Sequence, residues 1–239
     1  MTSYKPMSDK PSVRSPWFWV PSLYFAQGIP YVAVMIVSVL MYKRLGVSNT
    51  DIALYTSWLN LPWVIKPFWS PFVDLLKTKR WWVVTMQLLI GAGLAGVAFT
   101  IPTTFFFQAS LAVFWLLAFS SATHDIAADG FYMLALDSHE QAFFVGIRST
   151  FYRIAIIAGQ GVLVMFAGFL ENSTGNIPLA WSVTFFILGG LFLALFLYHR
   201  YILPLPKGDK PSATVTPSTI LKEFFATFAS FFKKKQAFV

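Results

Sequence analysis

Long apolar segments alternate with short polar connections along the chain. A helix needs about 20 apolar residues to cross the hydrocarbon core of a bilayer, and the longer segments reach this length. They predict six transmembrane helices, at residues 17–42, 52–76, 82–101, 105–123, 143–170 and 177–198. The second and fifth segments carry charged side chains, whereas the other four contain none.

Composition agrees with a membrane protein. Of the 239 residues, 56% are hydrophobic and 12% are charged, about half the charged fraction of a soluble globular domain. This balance excludes a disordered protein, a coiled coil and a soluble domain. The chain has no cysteine and three histidines, so disulfide and thiolate chemistry is excluded and we expect no metal site. The predicted fold class is an all-α membrane protein.

The distribution of lysine and arginine predicts the orientation. With Arg148 placed at the membrane edge, 14 of the 18 basic residues fall on the side that holds both chain ends. Because cytoplasmic loops carry the excess of basic residues, we predict a multi-pass protein of the inner (cytoplasmic) membrane with both ends in the cytoplasm. The net charge of +8 then reflects topology, and we expect no nucleic-acid partner.

The chain divides into three parts. Residues 1–16 form a predicted cytoplasmic tail, residues 17–202 the transmembrane bundle, and residues 203–239 a cytoplasmic linker with an amphipathic helix. Thr216 and Pro217 suit the N-cap and the first position of that helix. The helix either lies on the inner leaflet of the bilayer or connects to a further membrane span.

Charged residues in or beside the spans are the main functional signal. An ionisable side chain in mid-bilayer costs about 2.5–3.5 kcal/mol by insertion scales, so Lys66, Asp125, Asp129 and Arg153 must pair or face a wet cavity. Asp125 and Asp129 are four residues apart on one helix face, which suits a proton site, and His124 lies beside them. A static lattice of salt bridges is the alternative.

Helix breakers lie in the first two spans. Pro30 interrupts the first span, and the second holds three further prolines. A proline removes a backbone hydrogen bond, which a membrane helix tolerates against protein or a water-filled cavity. Broken helices beside buried charges are typical of a transporter binding site, and we assign the amides of Gln27 and Asn60 to that cavity.

One glycine motif is interpreted as a packing feature. Residues 91–96 read Gly-Ala-Gly-Leu-Ala-Gly, which matches the dinucleotide-binding fingerprint but lies within a span and follows no strand. Small residues at this spacing let helices approach closely in lipid. We therefore expect no cofactor. We also expect no enzyme activity, because the sequence supplies no nucleophile–base pair.

Several motifs resemble those of a transporter superfamily. Ser70-Pro-Phe-Val-Asp74, followed by Lys77, Lys79 and Arg80, resembles the cytoplasmic signature of the major facilitator superfamily, with serine where glycine is usual. Four further motifs are similar in order and spacing to the AmpG-type permeases, at residues 24–30, 65–71, 122–129 and 152–153. That family includes bacterial muropeptide permeases and is related to acetyl-CoA transporters.

The resemblance implies a fold and a gate. Major facilitators have twelve spans in two six-helix halves, each an inverted 3+3 repeat, so the chain would form one half, the amino-terminal one. Asp74, Lys79 and Arg80 would form the gating motif on the cytoplasmic side. The partner that completes the cavity would be the missing carboxy-terminal half or a second copy of the chain.

These observations favour a secondary active transporter in the lipid bilayer. The predicted activity is proton-coupled uptake of an anionic amphiphilic solute, such as a cell-wall muropeptide. Lys66 and Arg153 would attract the anion, while Asp125 or Asp129, with His124, would carry the proton. Two alternatives stay open: a membrane sensor or assembly protein that transports nothing, and a six-helix half-transporter acting as a dimer.

Overall fold

The computed structural model describes residues 15–210, which form helices and connections and contain no strand. The predicted tail up to residue 14 and the predicted amphipathic helix after Thr216 lie outside the described residues. The helices are α1 (Val20–Val32), α2 (Ser38–Arg44), α3 (Asn49–Thr56), α4 (Leu61–Val64), α5 (Lys66–Leu76), α6 (Lys79–Thr100), α7 (Phe106–Ala135), α8 (Ser138–Ala158), α9 (Val164–Thr174) and α10 (Ile177–Ile202).

Five helical stretches in the described part of the chain are long and apolar enough to cross a bilayer. They are Pro16–Arg44, Lys79–Thr100, Phe106–Ala135, Ser138–Thr174 and Ile177–Ile202. These stretches correspond to five of the six predicted spans, and the protein is a multi-pass helical membrane protein. The fourth span is longer than predicted, so that α7 carries Asp125 and Asp129 within one continuous helix.

The predicted second span is divided into short helices. Residues 49–76 form α3, a 3-10 turn, α4 and α5, none of which alone reaches the length of a span. The physical reason is proline: Pro62 and Pro67 lie in the first turns of α4 and α5, where a missing N–H costs least and a new helix can begin. The count of six spans therefore stays a prediction.

The first and fifth spans pack backbone against backbone. A Cβ atom added to Gly28 of α1 would lie 2.7 Å from Cβ of Ala155 and 2.9 Å from the carbonyl oxygen of Tyr152, both on α8. Pro30 lies in α1 and is followed by a π-helical segment, Ala33–Val37. Such a bulge is a common response to a proline inside a helix.

α6 packs between α7 and α10. A Cβ atom on Gly93 would lie 2.7 Å from Cδ2 of Leu117, so the glycine motif serves close helix packing, as predicted. Large apolar side chains such as Phe99, Ile157 and Met165 are mostly exposed and face outward, where lipid or a partner can cover them.

An ion pair ties three helices together at the opposite end of the bundle from Lys79. Arg44 at the end of α2 pairs with Glu171 of α9, and Nε1 of Trp181 on α10 donates to the same carboxylate at 2.7 Å. Glu171 is buried, so these two donors satisfy a charge that the protein withdraws from water.

Candidate functional site

The first element of the site is a buried ion pair between the divided span and α7. Lys66, the first residue of α5, places Nζ 2.6 Å from Oδ2 of Asp125. Nε1 of Trp63 donates to the same oxygen at 3.1 Å. The break between α4 and α5 positions both donors on one carboxylate, because Trp63 and Lys66 lie on opposite sides of that break.

The second element lies one helical turn along α7. Asp129 accepts a hydrogen bond from the hydroxyl of Tyr24 at 3.0 Å, and that hydroxyl in turn accepts one from Arg148 at 3.1 Å. Nη1 of Arg148 is 3.5 Å from Oδ1 of Asp129. The Arg148 guanidinium also lies over the rings of Tyr24 and Tyr132, 5.2 Å and 5.0 Å from their centroids, an arrangement that stabilises a cation.

These groups border an open cavity of about 400 Å³ between α1, α7 and α8. Its lining residues are Tyr24, Gln27, Asp129, Arg148, Ser149, Tyr152 and Arg153. Arg153 is exposed there and makes no ion pair with any residue between 15 and 210. Oε1 of Gln27 is buried and receives no hydrogen bond from the described residues. The cavity thus combines a cation, a hydrogen-bonding amide and a half-exposed carboxylate.

His124 occupies a separate chain of polar side chains, in which His124, Gln87 and His199 are fully buried. Nε2 of His124 lies 3.0 Å from Nε2 of Gln87, whose Oε1 lies 2.9 Å from Nδ1 of His199, and Nε2 of His199 lies 3.0 Å from the hydroxyl of Ser22. The Gln87 amide joins the two imidazoles, one through its nitrogen and one through its oxygen, so the tautomers of the two rings are coupled. This chain connects α6, α7, α10 and α1 and does not line the cavity.

Asn60 also lies apart from the cavity. It ends the 3-10 turn Ser57–Asn60 and is exposed. The structure therefore brings together Gln27, Asp129 and Arg153 at the cavity and joins Lys66 to Asp125 beside it. It places His124 and Asn60 elsewhere.

The predicted gating residues meet at the start of α6. The Lys79 ammonium pairs with Asp74 at the end of α5. Arg80 instead donates to the carbonyl oxygens of Arg200 and Leu203 at the end of α10. The backbone N–H groups of Lys79 and Arg80 donate to Asp209, at 2.6 Å and 3.0 Å.

Sequence reasoning missed several members of the site. Arg148 was assigned to the membrane edge, yet it partners Asp129. Tyr24, Tyr152 and Trp63 were not assigned to the site. Helical spacing could have identified two of them. Tyr24 precedes Gln27 by three residues and Tyr152 follows Arg148 by four, so the two residues of each pair lie on one helix face.

Among the described residues no group of three histidine, aspartate or glutamate side chains could hold a metal ion.

Comparison with known proteins adds a family and relatives. The BT1 family model matches residues 25–235. The anhydromuropeptide permease of Escherichia coli K12 is 24% identical over 225 residues, which cover 91% of this chain and 42% of the relative. The AmpG 4 protein of Rickettsia conorii is 29% identical over 186 residues, 72% of this chain and 41% of the relative.

The AmpG 4 protein of Rickettsia felis is 27% identical over 233 residues, 90% of this chain and 52% of the relative. The chain therefore spans about half the length of the curated relatives it matches. The resemblance to AmpG-type permeases is confirmed. Because a relative is named as a permease, the family also agrees with the expectation that the chain is not an enzyme.

Proposed function

The chain belongs to the BT1 family, and from this premise we propose that it forms the amino-terminal half of a secondary transporter. The proposed activity is proton-coupled uptake of an anionic amphiphilic solute across the inner membrane, with a cell-wall muropeptide as the candidate suggested by the Escherichia coli relative. The observation that carries the proposal is the cavity in which Arg153, beside the Asp129–Arg148 pair, has no acidic partner among residues 15–210.

Recognition of the anion rests on Arg153 and Gln27. A guanidinium can bind a carboxylate or phosphate through two parallel hydrogen bonds, and Arg153 is exposed to the cavity. The oxygen of Gln27, which receives no hydrogen bond from residues 15–210, can accept a hydrogen bond from a hydroxyl or amide of the solute. The rings of Tyr24 and Tyr152 line the same cavity and offer apolar surface to an amphiphile.

Proton coupling rests on Asp129 and Asp125. The Asp129 side chain is 54% exposed, so it is accessible to protons from the cavity. Its protonation removes the charge that attracts Arg148 and weakens the tie between α7 and α8, which biases the balance between two conformations. Asp125 lies one turn away, and protonation there releases Lys66 in the same manner.

The proposed architecture completes the bundle. Residues 49–76 form the second of six spans, broken at its centre, and both ends of the chain lie in the cytoplasm. The six spans form a 3+3 inverted repeat, and a further half closes the cavity, either a carboxy-terminal segment of the same protein or a second copy.

Substitution of Arg153 tests the assignment of the cavity. In the full-length protein we expect Arg153→Gln to raise KM for a muropeptide at least about tenfold, because hydrogen bonds to charged groups contribute about 1.5–3 kcal/mol. Arg153→Lys should recover part of the loss. Lys43 lies near the end of the first span, far along the helix from the cavity residue Tyr24. Lys43→Gln removes the same charge and should leave uptake unchanged. Equal KM values for Arg153→Gln and Lys43→Gln would refute the assignment.

A further inference from the structure

A groove between α6 and α10 lies apart from the cavity and has both a basic and an apolar part. Its volume is about 500 Å³. Apolar side chains form the walls: Val84, Leu88, Phe196 and Leu205. Because α6 begins and α10 ends here, the groove opens at one end of two spanning helices, where the bilayer surface lies.

Basic residues surround the mouth of the groove. Arg200 lines it, is exposed and forms no ion pair with a described residue. Lys77 lies 5.9 Å from the centroid of the Trp81 ring, which also lines the groove. Arg80 joins them with its guanidinium on the carbonyl oxygens at the end of α10. The mouth therefore attracts an anion.

Among the described residues, the lining holds one carboxylate, and its oxygens already accept hydrogen bonds. Asp209 accepts the backbone N–H groups of Lys79 and Arg80 with its two oxygens, and it thereby caps the amino-terminal end of α6. Three basic residues thus face one acid whose oxygens are occupied, and the formal charge around the mouth is positive.

The groove continues from this mouth toward the middle of the membrane. Leu88 lies eight residues after Arg80, about 12 Å along the helix at 1.5 Å per residue. Leu88 is 42% exposed, so apolar surface is open on the membrane side of the basic mouth. Trp81 lies at the boundary, the position that tryptophan favours in membrane proteins. A free phosphate ion would leave these apolar walls uncovered.

We propose that this groove binds an anionic phospholipid, with the phosphate on Lys77, Arg80 and Arg200 and an acyl chain along Val84, Leu88 and Phe196. Basic pockets between spans on the cytoplasmic side suit acidic headgroups. The site lies apart from the transport cavity, since none of its residues lines that cavity; Arg80 also belongs to the predicted gating motif.

Lipid titration of the purified full-length protein tests the site. We expect phosphatidylglycerol to raise the Tm in detergent saturably, and phosphatidylcholine or inorganic phosphate to have no such effect. Lys77→Gln and Arg200→Gln should each weaken the apparent affinity about fivefold, since each basic residue near an acidic surface contributes about 1 kcal/mol. Arg200→Gln keeps the backbone carbonyl that holds Arg80, and Lys43→Gln is the charge-matched control.

Fluorescence quenching locates the acyl chain. Phosphatidylglycerol with brominated chains should quench the wild-type protein more than Trp81→Phe. Equal quenching of the two proteins would overturn the proposal and would place another occupant, such as the segment after Lys210, in the groove. Equal phosphatidylglycerol affinity in Arg200→Gln and Lys43→Gln, or an equal Tm rise with inorganic phosphate, would overturn it too.

Discussion

At the scale of single residues, the two carboxylates of the site are held by partners on other helices. Asp125 is bound by Lys66 and Trp63 of the broken span. Asp129 is bound by Tyr24 of the first span and Arg148 of the fifth. Two carboxylates on one face of α7 thereby anchor different neighbours. A change of protonation at either one acts on the packing of a specific helix.

The Lys66–Asp125 pair leads to a prediction about stability. Lys66→Gln leaves the buried Asp125 carboxylate without its cation, so we expect a loss of up to about 3 kcal/mol in the free energy of unfolding. The double variant Lys66→Gln/Asp125→Asn removes both charges and should be more stable than Lys66→Gln alone. Thermal unfolding in detergent measures both. A double variant that loses the sum of the two single losses would contradict the pairing.

The buried chain around Gln87 leads to a second prediction. Gln87→Leu removes the partner of Nε2 of His124 and of Nδ1 of His199, two imidazoles that are fully buried. Each unsatisfied polar group costs about 1–3 kcal/mol, so we expect a clear fall in Tm. Gln108→Leu, at an exposed position near the start of α7, is the matched control. A Gln87→Leu variant as stable as Gln108→Leu would show that the chain contributes nothing.

At the scale of helices, the close contact between α1 and α8 and the break within the second span have separate local causes. The first span stays continuous through Pro30 because a π-helical segment absorbs the disturbance, whereas the second span separates at Pro62 and Pro67. The break places Trp63 and Lys66 beside Asp125, and the close contact at Gly28 brings α8, with Arg148 and Arg153, against α1.

Two glycine substitutions test the close contact. Gly28→Ala places a methyl group 2.7 Å from Cβ of Ala155, and overpacking of this kind costs about 1–3 kcal/mol. In Gly146→Ala on α8, the added group has no atom of the described residues within 4 Å, so this variant should be neutral or stabilising through helix propensity. The Tm should therefore fall for Gly28→Ala and stay level or rise for Gly146→Ala, and an equal fall in both variants would contradict the packing.

The sequence predicted the membrane-spanning helices better than it predicted which side chains contact each other. Apolar length located five spans, and prolines marked the break in the second. Residue position along the chain does not say which way a helix faces, however. For that reason Arg148 was assigned to the membrane edge although it contacts Asp129, and His124 was assigned to the cavity although it contacts Gln87. The residues that follow Glu171 are polar, so nothing in the sequence indicated that its side chain is buried beside Arg44.

At the scale of the whole molecule, the proposed six-span topology requires residues 49–76 to cross the membrane. The chain has no cysteine, so single cysteines can be introduced without changing its background. We expect Thr50→Cys to react with a membrane-impermeant maleimide from outside the cell, and Lys77→Cys to react only after permeabilisation. Both positions are exposed. Labelling of both from the same side would rule out the second span.

Proton movement during uptake tests the central claim most directly. Cells or vesicles with the full-length protein are given a muropeptide in weakly buffered medium, and external pH is recorded together with uptake. Coupled uptake predicts a rise of external pH with the wild type and its loss, together with accumulation, in Asp125→Asn and Asp129→Asn. Asp51→Asn, an exposed carboxylate of α3, should behave as the wild type. Uptake without any pH change, unaffected by either cavity substitution, would contradict the account.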